Sequence, residues 1–309
     1  MLTSQELQVK LSMKKESKMI KRILITGKNS YVGTNVEKWL LNKNSEYFVE
    51  TLDMKDTRWT EFDFSGFDVV FHVAGIAHVS TKKRMRELYY KVNRDLAIEV
   101  AKKAKIENVK QFILMSSGIV YGDCSKIGIN HSININTPPC PSNDYGKSKL
   151  QAEQGILEME SSLFKVCVLR APMIYGPGCK GNYNSLSKFG KKLKVFPNII
   201  NERSVLFIDN LSEFVNLMIE NVESGIFFPQ NNEFICTSKI VLDISSFYGN
   251  NLRLTKFFNP IIKLISLVFP KLNKAFGSFI YDKDMSVYNT NYQIVNYLDS
   301  IIITETKSQ

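Results

Sequence analysis

Lys21-Arg22-Ile23-Leu24-Ile25-Thr26-Gly27-Lys28-Asn29-Ser30-Tyr31-Val32-Gly33 is the stretch on which the reading of this chain turns. Its first five residues read as a buried parallel strand. Thr34 to Leu41 reads as a helix with Val36, Trp39 and Leu40 on one face. Strand, glycine-bearing turn and helix together make a seat for a pyrophosphate. Glycines let the backbone approach closely, and the helix N-terminus supplies N–H donors and positive potential. Gly27, Ser30, Tyr31, Val32 and Gly33 are therefore candidate contacts of a dinucleotide. A second strand, Phe48 to Leu52, leads to Asp53, twenty residues past Gly33. A carboxylate there suits adenosine ribose hydroxyls and favours NAD; Lys55 beside it keeps NADP open.

Working outward, Asp68 to Gly75 is a further apolar strand. It ends in the small residues Ala74 and Gly75, as a cofactor lying across strand ends requires. His72 lies inside that run and reads as a core histidine, whereas His78 just beyond it is placed to face a ligand. Tyr90 to Lys105 reads as a helix with Asn93 near its start. Phe112 to Met115 is the next strand, delivering Ser116-Ser117-Gly118-Ile119-Val120-Tyr121-Gly122. After a loop with Pro138, Pro139 and Pro141, Ser142 or Asn143 would cap a helix carrying Tyr145-Gly146-Lys147-Ser148-Lys149. Residues four apart share a helix face, so Tyr145 and Lys149 would present a phenol and an ammonium to one small volume. At about 4 Å and an effective dielectric of about 20, that pairing is worth roughly 4 kcal/mol. It would lower the phenol's pKa by as much as ~3 units before desolvation takes some back. Such a tyrosine would serve as acid or base near neutral pH. Ser117, at a strand end upstream, would hydrogen-bond the same substrate oxygen.

The turn Thr26 to Gly33, Asp53, Asn93, the Ser-Ser-x-x-Val-Tyr-Gly segment and Tyr145-x-x-x-Lys149 together resemble the extended short-chain dehydrogenase/reductases. Within these the likeness is to the NAD-dependent epimerase/dehydratase family acting on nucleotide sugars, over roughly residues 19 to 240. Two positions depart from its pattern. Ser30 stands where the turn usually carries its middle glycine, which implies weaker cofactor binding. Gly118-Ile119 stands where the family's dehydratases carry Asp-Glu, which disfavours loss of water.

The resemblance implies that backbone at Ala171 and Pro172, after the strand Lys165 to Leu169, holds the nicotinamide end. It also implies that Asn182 and Arg203 meet the diphosphate of a UDP-sugar, a bidentate task that suits a planar guanidinium. The lysines of the following helix (Lys188, Lys191, Lys192, Lys194) read as a solvated face. Asn210 to Val222 reads as an amphipathic helix and Asn232 to Cys236 as a last strand. Phe257 to Phe269 is too short to span a bilayer. It reads as a core helix in preference to an apolar patch at a membrane surface. Phe276 to Asp282 is expected to close over the sugar.

The chain has 309 residues, 44% hydrophobic and 23% charged, as in an ordinary globular protein with one or two domains. A net charge of +10 suggests an anionic partner. Basic residues are scattered beyond the N-terminal segment, so nucleic acid is disfavoured against a diphosphate ligand or a membrane surface. Five cysteines without a C-x-x-C pair and only three histidines speak against zinc and for a reducing cytoplasm. The first eighteen residues carry four lysines and no apolar core of a signal peptide, and are expected to be a loose extension.

The expected architecture is α/β, a Rossmann-type doubly wound parallel sheet with a smaller C-terminal substrate-binding lobe. Residues 19–172 with 204–238 would form the NAD-binding part, and 173–203 with 239–309 the lobe. The resemblance implies a homodimeric enzyme that inverts C4 of a UDP-hexose or UDP-N-acetylhexosamine, using Ser117, Tyr145 and Lys149. The same residues would serve a 4-keto reductase of a UDP-4-keto-6-deoxy sugar. A non-catalytic dinucleotide sensor is the remaining alternative, and the intact trio argues against it.

Overall fold

The computed structural model describes residues 20–43, 46–77, 83–130, 132–269 and 271–307. His78 and the expected N-terminal extension lie outside them. Strand β1 (Lys21–Thr26) runs into helix α1 (Tyr31–Lys43) and then β2 (Tyr47–Leu52). β3 (Val69–His72), helix α2 (Leu96–Ile106), β4 (Gln111–Met115) and helix α3 (Asp144–Leu157) follow. β5 (Lys165–Leu169), helix α4 (Ile208–Glu220) and β6 (Gly225–Phe227) complete the sheet.

The strands lie in the order β6-β5-β4-β3-β1-β2, and every pairing is parallel. Side chains alternate between two apolar layers, as the two-residue period of a strand demands. Ile23, Ile25, Phe71 and Ile113 face α1 and α4, packing with Val36, Leu40, Leu211 and Val215. Leu24, Val70, Phe112 and Leu114 face α2 and α3, packing with Ala101, Ala104, Ala152 and Ile156. Each such side chain, once fully buried, contributes about 1.5–3 kcal/mol, which holds the helices against the sheet more than their own propensity does. The sheet is thus doubly wound.

The chain leaves β1 toward β2 and returns on its other side as β3. A crevice therefore opens at the C-terminal ends of β1 and β3, where the strand order reverses. Two smaller clusters stand apart from the sheet layers. One joins Val120, Tyr121, Phe279 and Tyr281; the other joins Ile127, Phe196, Ile199 and Leu252.

Several expectations are corrected. The last strand of the six-stranded sheet is β6 at 225–227. Asn232 to Cys236 is irregular, with an isolated bridge between Arg203 and Ile235. The expected helix from Tyr90 is preceded by Lys83–Tyr89 and passes through a π-helical turn over Tyr90–Asp95 before α2. Phe257 to Phe269 is not a core helix. Helix α5 (Asn259–Ser266) turns most of its apolar residues outward, with Leu264 at 68% and Val268 just beyond it at 74% exposure.

Candidate active site

The crevice opens into a cavity of about 680 Å³. Its floor begins at the turn after β1. Gly27 has φ +114°, and a Cβ there would stand 2.9 Å from the Ala74 nitrogen, so no other residue lets this turn pass so close to the end of β3. Ser30 takes the N-cap of α1. Its carbonyl accepts from Thr34 N at 2.9 Å and its hydroxyl from Gly33 N at 3.1 Å. Ser30, Tyr31 and Val32 line the cavity; Gly27 and Gly33 support it from below. This cradle fits a pyrophosphate, although Ser30 already uses one of the N–H donors the helix end offers.

Asp53 is exposed at the end of β2, outside the cavity wall, and accepts the Lys55 N–H at 3.0 Å. Gly75 lines the cavity, while Ala74 is buried behind it. Asn93 stands behind Gly75 and does not itself line the cavity. It is wholly buried, accepting from Ile76 N at 2.8 Å and donating to the Ile76 carbonyl at 3.0 Å. A side-chain amide carries both a donor and an acceptor, so Asn93 pins the 75–77 backbone as a neighbouring strand would.

On the opposite wall β4 ends at Ser116 and Ser117. The Ser117 hydroxyl caps the short turn Gly118–Tyr121 by accepting from Ile119 N. Asn143 caps α3, accepting from Gly146 N at 2.9 Å, and the helix presents Tyr145 and Lys149 to the cavity. Burial pushes the Tyr145 phenol above its ordinary pKa; a hydrogen bond with Ser117 pulls it back, and neighbouring Tyr89 pushes it up. The expected lowering by Lys149 is therefore not met. The Lys149 ammonium instead donates to the Met115 carbonyl at 2.9 Å. Burial brings Lys149 itself down to about 8, opposed by Glu153. Glu153 is fully buried, takes a hydrogen bond from Ser116, and receives two from Arg170 at 3.1 and 2.7 Å. Sequence reasoning missed Glu153, although its spacing of four from Lys149 was visible.

Gly118 has no room for a side chain. A Cβ there would lie 2.5 Å from the Tyr281 hydroxyl and 2.8 Å from the Phe279 ring. The segment expected to close over the sugar thus meets the site through Phe279, which lines the cavity, and Tyr281, which donates to the Arg170 carbonyl at 2.9 Å. Ala171 accepts from Gly118 N at 2.8 Å, joining the segments after β4 and β5; Ala171 and Pro172 both line the cavity.

At the far end Asn182 and Arg203 share the rim with Lys180 and Lys274, two cations the sequence reading did not single out. Arg203 donates to the Lys274 carbonyl at 2.7 Å and to Cys124 Sγ at 3.2 Å. Lys274 pairs with Asp123 at 3.1 Å, and Arg86, a further lining cation, with Asp144 at 3.2 Å. Apart from His78, every residue expected in the site stands in or directly behind this cavity or, for Asp53, at the neighbouring strand end. No group of His, Cys, Asp and Glu able to hold a metal occurs among the described residues.

Comparison with known proteins places the chain and its fold. The UDP-glucose 4-epimerase of Vibrio cholerae is 30% identical over 253 residues, spanning 74% of this chain and 76% of that protein. The N-acetyl-alpha-D-glucosaminyl-diphospho-ditrans,octacis-undecaprenol 4-epimerase of Escherichia coli O157:H7 is 28% identical over 221 residues, 66% of this chain and 64% of that one. The crystal structure of UDP-glucuronic acid 4-epimerase from Bacillus cereus in complex with NAD superposes with a TM-score of 0.70 at 18% identity, over 93% of this chain and 98% of that one. A sequence model of the NAD dependent epimerase/dehydratase family matches residues 23–228, and the chain belongs to that family.

Proposed function

We propose that the protein is a nucleotide-sugar 4-epimerase acting on a UDP-hexose or UDP-N-acetylhexosamine through a 4-keto sugar, making glycan precursors in the cytoplasm. The observation that carries this reading is the meeting of Ser117 and Tyr145 hydroxyls over buried Lys149, on a wall with no space for a dehydratase's acid at position 118. Residues 27–33, Asp53, Gly75, Ala171 and Pro172 would hold NAD, which supplies reversible hydride exchange at the sugar carbon. Tyr145 takes the proton from the 4-hydroxyl and later returns it to the 4-oxygen. Ser117 donates a hydrogen bond to that oxygen throughout. Lys149 stabilises the phenolate while its ammonium persists. Lys180, Asn182, Arg203 and Lys274 anchor the diphosphate, leaving the hexose ring free to turn its other face. The cluster of Phe196, Ile199, Val241, Leu252 and Phe276, joined by Ile127, supports assigning 173–203 and 239–309 to a substrate lobe.

Incubation with UDP-glucose or UDP-N-acetylglucosamine and catalytic NAD should yield the 4-epimer. Tyr145→Phe should lose about 10²–10⁴-fold in kcat while still binding NAD. Turnover of a UDP-4-keto-6-deoxy sugar with stoichiometric NAD(P)H, and no epimer from UDP-hexoses, would make the enzyme a reductase instead.

A further inference from the structure

Helix α5 and its flanks carry more apolar surface than their packing uses. Ile262 joins the cluster around Phe196 and Leu252, and Ser266 is buried. Phe257, Ile261, Leu264, Leu267, Val268 and Phe269 stand outward, each between 54% and 75% exposed. Scattered exposed apolar residues are ordinary, but a contiguous apolar face of this kind marks a contact surface.

The charges on this stretch say what it contacts. Between Asn251 and Phe276 the sequence has five basic residues and no acidic one. Lys256 and Lys263 are exposed beside the apolar side chains. A two-fold contact with a second copy would press this patch against itself and bring lysines against lysines. An apolar face whose own segment carries cations and no acid complements a surface with a hydrocarbon interior and negative headgroups, and lysine stems let the ammonium groups reach those headgroups. No helix among the described residues is long and apolar enough to cross a membrane.

We infer that the Phe257–Phe269 face, with Lys256 and Lys263, docks on the surface of an anionic lipid bilayer. The face is tied to the cavity described above. Helix α6 (Lys271–Phe276) follows α5 directly; Arg203 grips its Lys274 carbonyl at 2.7 Å, and Lys274 lines the cavity. Docking therefore fixes the cavity rim relative to the membrane. The inference does not depend on which reaction the cavity performs.

The test is co-sedimentation of the full chain with phosphatidylglycerol vesicles and with phosphatidylcholine vesicles. The protein should pellet with the anionic vesicles at about 50 mM salt and at least tenfold less at about 500 mM, where exposed charges are screened. Leu264→Ser/Val268→Ser should cut the bound fraction at least tenfold with an unchanged melting temperature, and Lys256→Ser/Lys263→Ser should do the same. Both variants keep the lysines of the first eighteen residues, so loss of binding assigns it to this face. No pelleting with anionic vesicles, or pelleting indifferent to both variants, would overturn the inference. So would a light-scattering mass that falls from dimer to monomer in Leu264→Ser/Val268→Ser, because the face would then belong to a second copy.

Discussion

Glu153 stands one helical turn beyond Lys149 on α3, and the two side chains are 0% and 6% exposed. An ammonium held at about 8 by burial is kept from falling further by the carboxylate next to it. Glu153 in turn is held by Arg170 and Ser116. Glu153→Gln should therefore shift the alkaline limb of the kcat profile to lower pH by roughly one unit. The sign follows from Lys149, whose charge is present below its pKa and lost as pH rises through it. The same substitution leaves Arg170 without its carboxylate and should cost on the order of 3 kcal/mol in urea unfolding. A stability loss without a shifted limb would restrict Glu153 to holding Arg170.

Ser30 offers a sharper test of the phosphate cradle. As an N-cap accepting from Gly33 N at 3.1 Å, it stabilises α1 while occupying a donor that a pyrophosphate would use. Ser30→Ala should cost about 1 kcal/mol of stability and Ser30→Gly only a few tenths. Because Ser30→Gly frees the Gly33 N–H, its NAD affinity by calorimetry should equal or exceed that of the parent. A marked fall in affinity for Ser30→Gly would show that the hydroxyl itself contacts the cofactor.

His72 should make the fold acid-sensitive. It is fully buried, lies 2.8 Å from the Thr26 hydroxyl through Nδ1, and is pushed by burial down to about 3. The unfolded chain takes up a proton near the ordinary value of about 6.5, while the folded chain does not until far lower pH. Stability is therefore complete above about 6.5 and falls as pH drops toward 3. Between pH 7 and 5 the parent should lose about 2 kcal/mol that His72→Gln does not, read from urea midpoints at each pH.

Much of this was legible in the chain because a parallel sheet is buried on both faces. Its strands then read as continuous apolar runs, and β1 to β5 all begin within one residue of their expected starts, although the run read for β3 extended past its end at His72. β6 was missed because three residues, the first a glycine at φ +113°, carry no periodicity to find. The Phe257–Phe269 helix was misread for the opposite reason. Its apolar residues share one side, opposite Asn259, Lys263 and Ser266, but that side faces outward, against the usual rule that the apolar stripe faces the core. At the site, Tyr145 and Lys149 were legible from local spacing. The bonds of Asn93 to Ile76 were not legible, because that partner lies 17 residues away across a strand end. Burial of the phenol, which reverses the expected direction of its pKa, is a property of the assembled wall and of no single motif.

Gly118 allows the discrimination against dehydration to be tested by packing alone. The Phe279 ring and Tyr281 hydroxyl fill the space where a side chain would begin, and Ser117 is bonded into the same turn. Gly118→Ala overpacks this wall, which typically costs about 1–3 kcal/mol, and should displace the Ser117 hydroxyl from Tyr145. Its kcat should fall at least tenfold while NAD affinity, set across the cavity at α1, stays unchanged. Phe279→Leu removes part of the obstructing ring, so the pair Gly118→Ala/Phe279→Leu should recover both stability and kcat relative to Gly118→Ala. Groups in contact couple by about 0.5–3 kcal/mol in such a cycle. Strict additivity would mean that the Phe279 ring does not close position 118 and would leave the Tyr281 hydroxyl as the group that closes it.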